Sequence, residues 1–186
     1  MSPHPSDADL LSQRMSRRLD VKRRKAFAIV LLATMLGCHR APKENTVLDH
    51  RHIEEAISGL RAAYAAFNRG DIDAAVQILD PDVGWIEPPE FPGGGTYHGA
   101  DGAKRYLAQS RASATQVISE PERFIPAGNR IVVFVHAKVL PKGSNTWQDV
   151  RLADVYTFQN GRATHMRAFV NRDDALRWAG VTAHPK

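Results

Sequence analysis

The stretch DVYTFQNGRATHMRAF, residues 154–169, decides the fold. At its centre lie Asn160 and Gly161, between two runs in which apolar residues alternate with polar ones. An Asn-Gly pair in that setting is the strongest short-range signal for a β-hairpin with a two-residue turn. If these two residues form the turn, Gln159 pairs with Arg162, and every other pair along the hairpin follows from that register.

This register assigns the hairpin side chains to two faces. One predicted face combines an acid, two basic residues and aromatic residues: Leu152, Asp154, Tyr156, Phe158, His165, Arg167 and Phe169. The other predicted face is smaller and mostly apolar: Ala153, Val155, Thr157, Met166 and Ala168. Asp154 then faces Arg167, whose guanidinium lowers a carboxyl pKa that burial would raise. We expect the arginine to dominate, so that Asp154 is ionised, in an internal ion pair or in a ligand site.

The segments outside the hairpin predict an α+β chain. Apolar residues at spacings of three and four predict an amphipathic first helix that ends at Gly70: Ile53, Ile57, Leu60, Tyr64 and Phe67. Asp71 is the expected N-cap of a second helix over 72–79. A short strand over 83–87 comes next, then a segment over 91–99 that is too rich in Gly and Pro for regular structure. Further helices are predicted over 101–113 and 172–179, and strands over 116–126, 130–140, 147–158 and 162–170.

Three motifs occur in the order that one superfold uses. They are YAAFNRGDID at 64–73, WIEP at 85–88 with YHG at 97–99, and DVYTF at 154–158 with MRAF at 166–169. Together they resemble the nuclear-transport-factor-2 superfold and, within it, the SnoaL-like and ketosteroid-isomerase-like proteins. The resemblance implies a cone-shaped fold over 48–182, in which a curved antiparallel sheet wraps around N-terminal helices and leaves a cavity.

The same resemblance implies a pair of catalytic carboxyls. In ketosteroid isomerases a carboxylate before a proline on this strand is the general base, and Glu87 precedes Pro88. Asp154 then matches the acid that helps to bind the oxyanion, while the family's oxyanion tyrosine falls at Ala63, next to Tyr64. Such a pair shuttles a proton beside a carbonyl group. The ligand-binding candidates are Tyr64, Trp85, His98, Tyr156, Arg167 and Phe169; His98 is equally compatible with a solvent-exposed loop.

Other functional classes have no signal in the sequence. No spacing of His, Asp or Glu is typical of a metal site, and no nucleophile constellation with Ser or Cys stands out. The glycines at 93–95 follow a proline and do not link a strand to a helix, so they do not predict a phosphate-binding loop. We therefore expect neither a metal nor a cofactor.

The positive charge of the chain is concentrated before residue 38. Residues 1–37 hold seven Lys or Arg against three Asp or Glu, whereas the remainder holds 18 against 17. A nearly neutral domain has no basic field for phosphates, so we expect no nucleic-acid partner.

The basic N-terminal region is typical of a targeting sequence. A cluster of Lys and Arg over 17–25 precedes the apolar run AFAIVLLATML at 26–36, a length that suits a signal peptide and is short for a membrane span. TMLGC at 34–38 resembles the bacterial lipobox, which implies lipid attachment at Cys38, the single cysteine. We expect a leader over 1–37, with Met15 as a plausible start, a tether over 38–47, and anchoring in the cell envelope; simple export is the alternative.

Three hypotheses for function remain open. The first is a pocket that binds a small, mostly apolar or carbonyl-bearing molecule. The second is a cofactor-independent isomerase, cyclase, dehydratase or hydrolase that uses Glu87 and Asp154. The third is an interaction module that forms a homodimer through the face of Ala153, Val155, Met166 and Ala168, and it is compatible with the other two.

Overall fold

The computed structural model describes residues 47–181 of the chain. The predicted leader, the lipid-attachment site Cys38 and most of the predicted tether lie outside the described residues, so they stay predictions. Within residues 47–181, no helix combines the length and the apolar character needed to cross a membrane.

Four helices and six strands make up the described part of the chain. In chain order they are α1 (His50–Arg69), α2 (Ile72–Ala75), β1 (Leu79–Glu87), β2 (Gly95–His98), α3 (Gly99–Ala112), β3 (Ala114–Ala127), β4 (Arg130–Pro141), β5 (Gln148–Gln159), β6 (Arg162–Phe169) and α4 (Arg172–Ala179). This composition confirms the predicted α+β class.

The strands form one open sheet in the order β2-β1-β6-β5-β4-β3. Four of the five strand pairs are antiparallel, as predicted, but β1 runs parallel to β6, which makes the sheet mixed. Register shifts interrupt the pairs β1–β6, β3–β4 and β5–β6. Such irregularities bend strands and increase their twist, so the sheet is curved and leaves room on its inner side.

The first helix follows its sequence signals closely. The Asp49 side chain accepts a hydrogen bond from the backbone N–H of His52 at 2.9 Å and so caps its first turn. At the other end Gly70 adopts a left-handed conformation (φ 86°), and its backbone N–H bonds to the last carbonyls. The buried stripe of α1 includes Leu60 and Tyr64, which pack against the inner face of the sheet.

Two local predictions are wrong. The second helix ends at Ala75, because β1 begins at Leu79 and the backbone N–H of Leu79 already bonds to Val76 at 3.0 Å. The segment over 91–99 is not wholly irregular, since Gly95–His98 pairs with the end of β1 as an edge strand. An edge strand needs partners on one side only, so its glycine content did not prevent pairing.

The predicted register of the β5–β6 hairpin is correct only next to the turn. Gln159 pairs with Arg162 as expected, and both turn residues have positive φ (51° and 76°). Between Thr157 and Phe158 the register shifts by one, so that Thr157 pairs with His165. Thr164 is thus an extra residue in β6, a β-bulge that turns every later side chain to the opposite face.

Because of the bulge, the predicted faces of the hairpin are wrong for β6. Asp154 faces Ala168 and not Arg167, which pairs with Val155. The predicted ion pair between Asp154 and Arg167 is therefore wrong. The apolar face assigned to a homodimer is also wrong as a surface, because α4 covers two of its members (Ala153 and Val155) while the other two (Met166 and Ala168) belong to the inner core.

Candidate functional site

A cavity of about 500 Å³ lies between the inner face of the sheet and helices α1 and α3. That volume is within the range of small-molecule sites, about 300–1,000 Å³. Its walls are mainly aliphatic and aromatic, and its acidic members come from β1, the following loop and β5. The lining residues are Leu60, Ala63, Tyr64, Phe67, Ala75, Ile78, Leu79, Trp85, Glu87, Glu90, Phe91, Pro92, Tyr106, Leu107, Ser110, Val117, Ser119, Val135, Ala137, Val139, Gln148, Val150, Leu152, Asp154 and Tyr156.

Glu87 is a buried carboxyl at the end of β1. Its side chain is 7% exposed, because β1 alternates and places Val83, Trp85 and Glu87 on its buried face. The indole Nε1 of Trp85 donates a hydrogen bond to Oε1 of Glu87 at 2.8 Å, and the hydroxyl of Tyr106 also bonds to this carboxyl. Burial, reinforced by the negative charge of Asp154, raises the pKa of Glu87 to about 8 although both hydrogen bonds oppose the rise.

Asp154, on β5, is a second carboxyl in the wall of the cavity. The hydroxyl of Tyr64 donates to Oδ2 of Asp154 at 2.5 Å, and the hydroxyl of Tyr156 lies 3.4 Å from that of Tyr64. Protein atoms surround the aspartate, but it also lines the cavity and so keeps some accessible surface. Burial raises the pKa of Asp154 to about 6, against the lowering effect of the Tyr64 hydrogen bond.

The two carboxyls consequently differ in charge near neutral pH. Asp154 is mostly ionised at pH 7, whereas Glu87 is mostly protonated, so one accepts hydrogen bonds and the other can donate one. Burial and the charge of Asp154 also raise the pKa of Tyr64 well above its usual range, so its hydroxyl stays a donor. The site therefore offers a proton acceptor and neutral donors within one apolar enclosure.

Five of the predicted site residues line the cavity. These are the two carboxyls Glu87 and Asp154 and the aromatic residues Tyr64, Trp85 and Tyr156. The prediction that Arg167 lowers the pKa of Asp154 is wrong: Arg167 pairs with Val155, Tyr64 supplies the hydrogen bond, and burial raises the pKa of Asp154 to about 6.

Three predicted ligand-binding residues lie elsewhere. The guanidinium of Arg167 lies 5.1 Å from the ring centroid of Phe169 and 5.9 Å from that of Trp178, on the outer side of the sheet. Both Arg167 and Phe169 were assigned to the inner face because the bulge at Thr164 was not anticipated. His98 is exposed at the N-cap of α3, where its side chain makes no capping hydrogen bond.

Two parts of the site were not predicted. Tyr106 is not among the predicted site residues, yet it lines the cavity and its hydroxyl bonds to Glu87. The loop after β1 adds Glu90, Phe91 and Pro92 to the cavity wall. The sequence could have indicated this loop, because its residues follow the candidate base Glu87 within five positions. Among the described residues, no group of three or more His, Cys, Asp or Glu is arranged to hold a metal ion.

Comparison with known proteins identifies one family model and several solved structures that are similar to this chain. The model of the SnoaL-like domain family matches residues 60–166. Comparison with curated proteins yields no match. Among solved structures, TerC co-crystallised with polyporic acid is 27% identical with a TM-score of 0.57, and the match covers 68% of this chain and 98% of TerC.

Two further solved structures share the fold. An NTF2-like protein of unknown function from Burkholderia pseudomallei is 27% identical, with a TM-score of 0.58 and coverage of 69% of this chain and 98% of that one. A hypothetical protein from Catenulispora acidiphila with a ketosteroid-isomerase-like fold, in complex with trimethylamine, is 16% identical with a TM-score of 0.55. That match covers 70% of this chain and 98% of the other, and at this identity it shows the fold alone.

Proposed function

The chain belongs to the SnoaL-like domain family, and from that premise we propose that its cavity binds one small, mostly apolar molecule through a polar group near Glu87 and Asp154. One observation carries this proposal: a buried Glu87 and a partly buried Asp154, which differ in charge near neutral pH, line a single cavity whose other walls are largely apolar. Sites for small ligands commonly combine apolar walls with a few polar groups that fix orientation. The similarity to TerC, which was crystallised with polyporic acid, supports a small organic ligand.

A matched pair of substitutions on α1 tests the binding proposal. Ala63 lines the cavity, whereas the neighbouring Ala62 is exposed. Ala63→Trp is expected to fill the cavity and to weaken binding of the neutral apolar dye Nile red by about tenfold or more, because an indole occupies most of the space that a small ligand needs. Ala62→Trp is the control and should leave the dye affinity unchanged. Equal dye binding by the two variants would contradict a ligand site in this cavity.

A second candidate function is acid–base catalysis in the same cavity. The observation that favours it is the hydrogen bond of 2.5 Å from Tyr64 to Asp154, next to a mostly protonated Glu87. The Asp154 carboxylate is the base that removes a proton next to a bound carbonyl group. Glu87 then donates a hydrogen bond to the carbonyl oxygen as negative charge develops there. This assignment exchanges the roles that the family resemblance implied for the two carboxyls.

Hydrogen–deuterium exchange in an apolar ketone tests catalysis directly. In D₂O the protein is expected to accelerate exchange of the acidic α-protons of 2-tetralone, followed by proton NMR. Asp154→Asn should reduce that acceleration by about a hundredfold, because general base catalysis contributes about 10²–10⁴-fold. Asp149→Asn, an exposed position on the same strand, is the control. The catalytic proposal fails if Asp154→Asn keeps the wild-type exchange rate.

We also propose that the domain is exported and held at the membrane through lipid on Cys38. The support is in the sequence alone: the basic cluster, the apolar run and the lipobox-like TMLGC. Two acyl chains provide the two signals that stable anchoring needs. Cys38→Ser should move the protein from the membrane fraction to the soluble fraction, and unchanged membrane retention of that variant would refute the anchor.

A further inference from the structure

The charged side chains that line the cavity all have the same sign. Three carboxyl groups contribute to the wall, from Glu87, Glu90 and Asp154. None of the lining residues, all of which lie in the described part of the chain, is a Lys, an Arg or a His. Near neutral pH the wall is therefore negative, with Asp154 mostly ionised inside and the exposed Glu90 at the rim.

Two arginines that follow lining residues of α1 and α3 in the sequence are engaged elsewhere. Arg111 follows the lining residue Ser110, but its Nη1 donates to the backbone oxygen of Phe67 at 2.7 Å and also lies within 3.4 Å of two other carbonyl oxygens. On α1, the guanidinium of Arg61 lies 4.4 Å from the ring centroid of Phe124. The protein thus supplies no cation to neutralise Asp154 from within the cavity wall.

Aromatic rings line the same cavity as the acidic groups. The ring centroids of Trp85 and Tyr106 are 6.3 Å apart, and those of Trp85 and Tyr156 are 6.4 Å apart. The faces of such rings attract cations, most strongly when water is excluded. A carboxylate in a cavity that aromatic rings also line is an environment that stabilises a positive charge and repels a negative one.

We propose that the ligand of this cavity is a cation, namely an apolar molecule that carries a protonated amine. The ammonium group donates hydrogen bonds to the Asp154 carboxylate and lies against the aromatic rings, while the apolar part fills the aliphatic end of the cavity. Glu90 at the rim attracts the cation before it enters. This inference rests on the proposed binding function and adds the charge of the ligand to it.

Three probes of one shape and three charges separate this inference from simple apolar binding. They are 2-naphthylmethylamine, 2-naphthylmethanol and 2-naphthoate, each titrated into the protein at pH 7 by isothermal calorimetry. The amine is expected to bind about tenfold more tightly than the alcohol, because only the cation is attracted by Asp154 and the aromatic rings. The carboxylate is expected to bind about tenfold more weakly than the alcohol, because Asp154 repels it.

Substitutions test which carboxyl group causes the preference for the amine over the alcohol. Asp154→Asn should reduce the difference between amine and alcohol to about threefold or less, because the ionised partner is gone. Asp149→Asn, on the same strand and exposed, is the matched control and should preserve the full preference. Glu90→Gln is an independent test if Asp154→Asn fails to fold, since Glu90 is exposed. This substitution should reduce the ratio of amine affinity to alcohol affinity by about twofold to threefold.

The outcomes separate the two proposals. If the alcohol binds as tightly as the amine, or if the carboxylate binds best, the cation inference is overturned while the binding function stands. If none of the three probes binds to the wild type, and Nile red does not bind either, both proposals fail. An amine preference that Asp154→Asn leaves intact would overturn the assignment of the cation to this carboxylate.

Discussion

The two faces of the β5–β6 hairpin show how one strand pair serves two purposes. On the inner face Tyr156 pairs with Met166, and both belong to the core around the cavity. On the outer face Val155 pairs with Arg167, one residue away on each strand; Val155 is buried beneath α4, and Arg167 lies exposed against Phe169. The inner face presents the groups that can bind or react, whereas the outer face attaches a helix.

The difference between the faces depends on a single extra residue. Without the bulge at Thr164, Arg167 would face Asp154 and the cavity would contain an internal ion pair. With the bulge, Asp154 has Tyr64 as its hydrogen-bond partner, and it titrates at a raised pKa. The lesson is that a one-residue irregularity in a strand can decide the electrostatics of a site whose residues are otherwise unchanged.

The largest expected effect comes from placing a charge on the inner face of β6. Removing a charge from the outer face at the next position is the comparison. Met166→Arg introduces an unpaired charge into the inner core, where Met166 is 1% exposed, and should lower the free energy of unfolding by about 4 kcal/mol or more. Arg167→Met, at the next position, should cost less than about 1 kcal/mol, because Arg167 is exposed and loses only contacts with aromatic rings. Urea denaturation of both variants measures the difference, and comparable losses would contradict the assignment of the two faces.

An intermediate effect is expected from removing the charge of Glu87. The pKa of Glu87 is raised from 4.5 to about 8, so the folded state favours the protonated form. The stability associated with this preference is complete below pH 4.5 and is lost as the pH rises through 8. Glu87→Gln cannot ionise, so its stability relative to the wild type should increase between pH 4 and pH 9, by on the order of 2–4 kcal/mol.

Denaturation at several pH values measures this dependence. Glu90→Gln is the control, since it also removes one carboxylate but at the exposed rim of the cavity. It should keep the pH profile of the wild type. If Glu87→Gln and the wild type differ by the same amount at pH 4 and pH 9, Glu87 is not held protonated by its surroundings.

The smallest expected effect separates two tyrosines that share one network. Tyr64→Phe removes the hydrogen bond to Asp154, so the pKa of Asp154 should rise above 6 and stability at pH 7 should fall by about 1–2 kcal/mol. Tyr156→Phe removes only a longer contact of 3.4 Å to Tyr64 and should cost less than about 1 kcal/mol. Equal shifts of the Asp154 titration in the two variants would contradict the order of this network.

Much of the fold was predictable because its signals are local. Gly70 caps the C-terminal end of α1, Asn160 and Gly161 form the hairpin turn, and α4 has the predicted bounds Arg172–Ala179. Each of these depends on a few neighbouring residues with a direct conformational preference. The family resemblance then added the arrangement of the elements, a curved sheet around the N-terminal helices, which local signals do not determine.

The parts that were missed depend on contacts between distant segments. The bulge at Thr164 adjusts β6 to its neighbours on both sides, and the register of β1 against β6 also shifts there. One weak signal existed in the sequence: apolar residues switch from an odd position at Ala163 to even positions at Met166 and Ala168. The bond from Tyr106 to Glu87 links α3 to β1, and nothing in the spacing of either segment indicates it.

The homodimer is still a prediction. The residues assigned to its interface are buried within the chain, so a dimer would have to use another surface. Sedimentation at high protein concentration tests it without reference to the cavity.

The central claim is that one cavity holds a mostly protonated Glu87 and a mostly ionised Asp154. The most direct test is a titration of the carboxyl carbons by NMR, with ¹³C-labelled Glu and Asp assigned through Glu87→Gln and Asp154→Asn. Because the two groups interact, the measured midpoints belong to the pair. We predict steps near pH 6 and pH 8, the lower one dominated by Asp154 and the upper one by Glu87. Two midpoints below pH 5 would contradict the account.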